Sequence, residues 1–346
     1  MLKVILLFSL IILLPLKNIS LDNNHVNDFF TLEKTIKLPN EPIIGQVSFL
    51  DVDNKENLLI TDIITNNVFL YNNQGYLITT LSPEKCNPGT FWSPLKAVFD
   101  NEGDIFVINR GPWGIRFDKS GDCTAIMGRQ FMAPLHIAFD HTGNIYGYYI
   151  APDGNYLKKM DQEGNEITRF GLFEDEFKNF INIVEGGGLI SDLNGYLYHT
   201  NVTSYKVHKY NINGEYITTF DQRPSYYSPI RKDLSRTSGN PNIMIEFRNI
   251  IKNRSITYDL HLLDQDRLLI QYRLGSLYGI DIFDTEGNRL INENIIVKRP
   301  FFSARDGYAY YVAPHEYDDD GNIRNPNIEI YNILSNQIDQ DTNDSN

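Results

Sequence analysis

The sequence is poor in the features that usually announce a chemistry. Its 346 residues hold two cysteines and two tryptophans. Two thiols are too few for a disulfide-stapled scaffold or a four-ligand structural zinc site. No G-x-S-x-G elbow, phosphate-binding glycine loop, H-E-x-x-H pair or paired C-x-x-C occurs, so none of the reactions those motifs carry has a local signature. Basic residues are also scarce: 31 Lys and Arg stand against 44 Asp and Glu, a net charge of -13, with no basic block. That excludes an ordinary nucleic-acid binder, which needs a basic face or stripe. Beyond the N-terminus, no apolar run approaches bilayer length. What is abundant is apolar and aromatic material. Hydrophobic residues make up 42%, with 21 Tyr and 20 Phe, enough for a large core and against wholesale disorder.

The N-terminus reads as an address. Lys3 precedes an apolar run from Val4 to Leu16, broken only by Ser9 and Pro15, and polar sequence resumes at Lys17. A charged start with a short apolar stretch is a secretory signal pattern. We therefore expect a signal peptide over residues 1–20, a linker over 21–28, and an exported mature chain, periplasmic or extracellular, with no membrane span after cleavage.

Two turn markers recur along the rest. One is an apolar strand ending in D-x-x-G and followed by a second apolar strand. It appears as Lys96-Ala-Val-Phe-Asp-Asn-Glu-Gly-Asp-Ile-Phe-Val and again as His136-Ile-Ala-Phe-Asp-His-Thr-Gly-Asn-Ile-Tyr-Gly. Looser copies sit at Asp53, Asp192, Asp264 and Arg305-Asp306-Gly307. The other is a turn ending at Gly75, Gly121, Gly164, Gly214 and Gly287, with spacings of 46, 43, 50 and 73 residues. Short alternating strands with glycine turns at a mid-forties period are the signature of propeller blades. The reading is an all-β, six-bladed β-propeller over residues 29–334, four strands to a blade. The first blade's strands are expected near 44–52, 57–61, 67–72 and 76–81. The long spacing marks an insertion at about 221–255, and residues 335–346 form a disordered tail. The last repeat supplies only three strands, and the alternating segment 29–38 has no partner of its own. Ring closure by that N-terminal strand, completing blade six, satisfies both and removes an open edge.

Asn87-Pro-Gly-Thr-Phe-Trp-Ser-Pro leading into Lys96, and Gly128-Arg-Gln-Phe-Met-Ala-Pro before His136, resemble the NHL-repeat unit. The chain is similar to exported six-bladed β-propeller proteins of bacteria. The resemblance implies a fold; such propellers serve as binding scaffolds, lyases, lactonases and arylesterases.

In this fold the loops between blades share one face with the second-to-third-strand loops, and ligands dock there. Four residues before the first turn of each blade stand Phe49, Lys96, His136, Gly188, Leu260 and Phe302. This makes Lys96 and His136 the candidate catalytic pair at the channel mouth. His136 follows Pro134 as in amidating lyases of this fold, but those need several histidines on zinc, and His261 falls one residue out of phase. A hydrogen-bonded channel histidine is the blander alternative. A calcium-dependent lactonase is disfavoured because 43–48 opens the first blade with no acidic residue. Arg110, Trp113, Arg116, Arg129 and Arg299, with Lys298, form the candidate ligand-binding set, since guanidinium forks hold carboxylates and phosphates while indole faces stack on planar groups. Scattered surface charges are the competing account. Glu316 to Asn322 looks like a calcium loop, but its twelfth position is Asn327, and an acidic turn between strands is the better reading. No metal or cofactor is expected.

Cys86 falls in a loop between blades, whereas Cys123 opens an outer strand after a turn on the opposite face. A strand of five or six residues spans about 17–20 Å, out of disulfide reach, so two free thiols are expected. The functional expectation is a non-catalytic binding scaffold for a small molecule, glycan or protein, possessing a loop-face site. The alternative is a channel-mouth hydrolase or lyase, with or without a divalent ion.

Overall fold

The computed structural model describes residues 29–87, 92–110, 114–128, 131, 133–149, 157–171, 186–230, 254–291 and 295–333. The expected signal peptide, linker and tail lie outside them. These residues form six four-stranded antiparallel sheets arranged in a ring, a six-bladed β-propeller.

Blade one is β2 (Val47–Val52), β3 (Leu58–Asp62), β4 (Asn67–Tyr71) and β5 (Leu77–Thr80). Blade two is β6 (Pro94–Phe99), β7 (Ile105–Asn109), β8 (Gly114–Phe117) and β9 (Cys123–Met127). Blade three is β10 (His136–Phe139), β11 (Ile145–Tyr148), β12 (Leu157–Met160) and β13 (Glu166–Phe170). Blade four is β14 (Gly188–Ser191), β15 (Tyr196–Thr200), β16 (Val207–Asn211) and β17 (Tyr216–Phe220). Blade five is β18 (Ser255–Leu262), β19 (Arg267–Leu274), β20 (Leu277–Asp284) and β21 (Ile295–Val297). Blade six takes β22 (Ser303–Arg305), β23 (Tyr308–Val312) and β24 (Asn327–Ile333) from the end of the chain and β1 (Phe30–Lys37) from its start.

The ring therefore closes as the sequence predicts. β1 pairs along β24 from Phe30 opposite Ile333 to Lys37 opposite Asn327. Asn325 fastens the junction a second time. Its amide nitrogen donates to the Pro39 and Pro42 carbonyls at 2.5 and 2.7 Å, and its side-chain oxygen accepts the Ile44 amide at 2.7 Å.

The two turn markers prove to be one piece of chemistry. At Asp100 the carboxylate accepts the amides of Glu102 and Asp104 at 3.0 and 2.9 Å; at Asp118 it accepts those of Ser120 and Asp122, both at 2.9 Å. Asn72, Asp161, Asn211 and Asp284 repeat the pattern. A side chain that mimics a backbone acceptor two and four residues on fixes a tight hairpin. The acidic segment at Asp318 is the same turn, with Asp318 accepting from Asp320 and Asn322.

The glycine that ends the turn between third and fourth strands has a second cause. Gly121 sits at φ +83°, where an L side chain is strained, and a Cβ there would run into Thr79 and Leu81 of the preceding blade. Gly75 sits at φ +86°, and a Cβ would lie 2.7 Å from the Lys37 carbonyl oxygen. Gly164, Gly214 and Gly287 rest likewise on Met127, Phe170 and Phe220. Each such turn thus lies across the end of the previous blade's outer strand. Sheet twist accumulates outward across a blade until the outer strands slant over their neighbours.

That slant overturns the expectation of free thiols. Cys86 and Cys123 form a disulfide with Cα atoms 5.5 Å apart. Cys123 is two residues past Gly121, and Cys86 is five past Leu81, against which Gly121 packs. The assumption of outer strands upright along the ring axis placed the two sulfurs on opposite faces; the twist brings them together.

The core lies between blades. Tyr71, Tyr146, Tyr148, Tyr198, Tyr210 and Tyr272 are all fully buried, each removing apolar surface worth about 2–3 kcal/mol before entropy is charged. Of the expected insertion, residues 221–230 and 254–255 are described. Ser255 donates its amide to the Ser228 carbonyl at 2.7 Å, and the Ser228 amide donates to the Ser255 hydroxyl at 2.9 Å. Tyr226 and Tyr227 pack on Tyr272, so the base of this excursion is anchored to blade five.

Candidate functional site

The innermost strand of each blade borders the central channel, and strand register aligns them. Phe49 lies opposite Thr61, Lys96 opposite Ile108, His136 opposite Tyr148 and Gly188 opposite Thr200. In blade five the equivalent residue, opposite Gln271, is Asp259. Leu260, expected there from the turn spacing, is out of phase. The hairpin closes between Leu263 and Arg267 rather than starting at Asp264, which slides the count by one. Phe302 completes the layer through its amide, which donates to the Tyr310 carbonyl at 2.8 Å.

Lys96 and His136 meet. Lys96 Nζ lies 3.2 Å from His136 Nδ1 and 4.2 Å from the centre of the Phe49 ring. Burial first, then the Lys96 charge, hold the His136 pKa well below the ordinary histidine value, while a backbone hydrogen bond to Gly186 opposes them. His136 is thus a neutral ring engaged by Lys96 on one side and the backbone on the other. Its ring stacks at 6.2 Å on Tyr148, which lies 4.5 Å from His199.

On blade five, Asp259 Oδ2 lies 3.6 Å from His261 Nε2. Gln271 sits beneath the pair. Its oxygen accepts the Phe301 amide and its nitrogen donates to the Phe301 carbonyl, both at 2.8 Å. The same nitrogen lies 2.9 Å from His261 Nε2. Toward the first-turn end of the inner strands lies a cavity of about 260 Å³, whose apolar wall includes Val98, Ala138 and Leu262. Among the described residues no three His, Cys, Asp or Glu side chains are grouped to hold a metal ion.

Above the layer a cleft of about 630 Å³ opens on the loop face, across blades five, six and one. Tyr258, Tyr278 and Phe302 supply its aromatic surface; Lys298, Arg299 and His315 supply polar groups. The Tyr258 and Tyr278 rings meet edge to face at 5.0 Å. His315 Nδ1 donates to the Arg324 carbonyl at 2.9 Å, fixing its tautomer. Asp62 holds the wall from blade one, accepting the Gly45 and Gln46 amides at 2.6 and 2.9 Å. Burial alone would raise its pKa; these hydrogen bonds lower it instead.

The structure does not gather the predicted arginines into one patch. Arg299 and Lys298 are exposed on the cleft. Arg110, also exposed, directly follows β7 in blade two and is not among the residues that line the cleft. Arg116 lies on β8 with its guanidinium 3.7 Å from Asp100, at the turn on the opposite face. Trp113 and Arg129 lie outside the described residues.

No protein-family model matches the sequence, and no curated protein matches it. Solved structures do. A protein of Bacteroides fragilis whose name places it among exported proteins is 12% identical, with a TM-score of 0.66, covering 89% of this chain and 96% of its own. A member of the DUF4221 family from Bacteroides vulgatus is 10% identical, with a TM-score of 0.58, covering 88% and 98%. A streptogramin B lyase is 10% identical, with a TM-score of 0.53, covering 89% and 99%. At these identities the likeness is one of fold: the six-bladed propeller.

The sequence reading named Lys96, His136, Lys298 and Arg299 as candidates, and the structure places them at the channel mouth and the cleft; that reading did not name Asp259, Tyr258 or Tyr278. The β-bulge at Tyr258, between the pairs Thr257–Tyr272 and Asp259–Gln271, throws the local alternation out of step. Bulges re-aim side chains in this way, and no residue pattern marked this one.

Proposed function

We propose that this chain is an exported propeller that binds a small anionic ligand with a planar or sugar-like face in the cleft between blades five, six and one. One observation carries the reading: on a chain of net charge -13, the cleft sets Lys298 and Arg299 beside Tyr258, Tyr278 and Phe302. Its volume is that of a small-molecule site, and a guanidinium beside aromatic rings suits a carboxylate on a planar body. Export is supported by the N-terminal signal pattern and by the disulfide, which persists in oxidising compartments.

The test is a fluorescence titration with 1-naphthoate, which carries both features. Saturable binding is expected, weakened about tenfold or more by Arg299→Ala, the loss of one charge-assisted hydrogen bond. Binding that Arg299→Ala leaves untouched places the anion elsewhere. A channel-mouth hydrolase or lyase built on Lys96 and His136 is the second reading, favoured by their 3.2 Å contact. The engagement of the His136 ring by both Lys96 and the backbone fits a residue that positions Lys96 better than one that accepts a substrate proton. Stoichiometric zinc or calcium in the purified protein, lost in His136→Ala, favours the enzyme.

A further inference from the structure

Asp259 adds a charge of the other sign beside the basic cleft. The bulge that turns Tyr258 onto the cleft wall also sets Asp259 in the channel-mouth layer. Its Oδ1 accepts the Leu260 amide at 2.9 Å. Its Oδ2 faces His261 Nε2 at 3.6 Å, and the identity of that nitrogen follows from Gln271. Because Gln271 both accepts from and donates to the backbone of Phe301, its amide can point only one way. Its remaining hydrogen is then directed at His261 Nε2, 2.9 Å away, so this nitrogen is an acceptor and the ring proton is on Nδ1. Burial lowers the His261 pKa, and Lys96 across the channel adds to that, while Asp259 opposes it. That lone pair is taken by Gln271, so His261 offers Asp259 no hydrogen, and Oδ2 is left without a donor among the described residues. An ammonium brings both the hydrogen and the charge that this oxygen lacks.

Resting on the binding reading above, we infer that the ligand is a short aromatic peptide with both termini free. Its carboxylate meets Arg299 and Lys298, its ring lies on Tyr258 and Tyr278, and its ammonium meets Asp259. No acidic side chain lines the cleft itself among the described residues, so the cationic and anionic ends of the ligand have separate addresses.

Calorimetry with the dipeptide Phe-Phe, its N-acetyl form and its C-terminal amide tests this on wild type, Asp259→Asn and Arg299→Ala. Acetylation should weaken binding to wild type by at least about tenfold, the loss of one charged hydrogen bond, and should have no further effect on Asp259→Asn. Amidation should couple to Arg299→Ala in the same way. Asparagine keeps the oxygen that accepts from Leu260, and the acetylated ligand makes the same test on unaltered protein if the variant fails to fold. Equal binding of the free and acetylated dipeptides to wild type overturns the inference. Naphthoate binding without Phe-Phe binding also overturns it and leaves the anion reading standing. Binding of neither removes both.

Discussion

His199 is fully buried beside the channel and donates from Nδ1 to the Gly188 carbonyl at 2.8 Å. Burial pushes its pKa down to about 3, and His136 and His261 are lowered for the same first reason. In the unfolded chain all three take a proton near pH 6.5; in the folded chain burial holds that protonation to lower pH. The unfolded state therefore binds more protons as pH falls below that value, and stability declines. Each buried neutral histidine contributes a slope of up to about 1.4 kcal/mol per pH unit. Asp51 and Asp281, which burial raises, oppose this at the acid end. The urea midpoint should be flat between pH 8.5 and 7.5, begin to fall by 6.5 and be clearly lower at 5.5. An unchanged midpoint at 5.5 contradicts buried, neutral rings.

At the scale of the element, the blade-to-blade contact is the unit that matters. The disulfide ties the loop after β5 to the start of β9 and closes a loop 37 residues long. Loop-closure entropy gives it about 4 kcal/mol at most. Cys86→Ser should lower the urea midpoint, Cys123→Ser should do the same, and the double variant should be no worse than either, because a single bond is lost. Additive losses indicate that the cysteines act separately. This bond also shows where sequence reading stops. The turns and the blade count were legible because Asp or Asn at one position and Gly three later leave a fixed mark. The ring closure was legible because Phe29 to Leu38 and the three-stranded last repeat each lacked a partner. Twist has no such mark, so Cys86 and Cys123 were put on opposite faces. The site was legible only in part for a related reason. Lys96 and His136 sit on strands whose register follows the turn, whereas Tyr258 and Asp259 depend on a bulge and a shifted hairpin.

At the scale of the whole molecule, β1 is the piece that makes the ring a ring. It covers β24 over its full length, and Phe30 and Ile36 are buried in two different inter-blade cores. Deleting residues 30–37 should abolish cooperative unfolding rather than trim its midpoint, since it opens an edge and empties both cores. A deletion variant that melts in one sharp transition removes this role for β1.

The pairing of β1 with β24 also sets a clock. The two strands are separated by roughly 300 residues of chain, so the contact that seals the ring has the longest loop to close and is expected to form late. Until β24 has been made, β1 has no partner and blade six lacks its outer strand. For a protein read as exported, the seam is a built-in delay: the barrel of blades can lock only once its final strand has arrived beside its first.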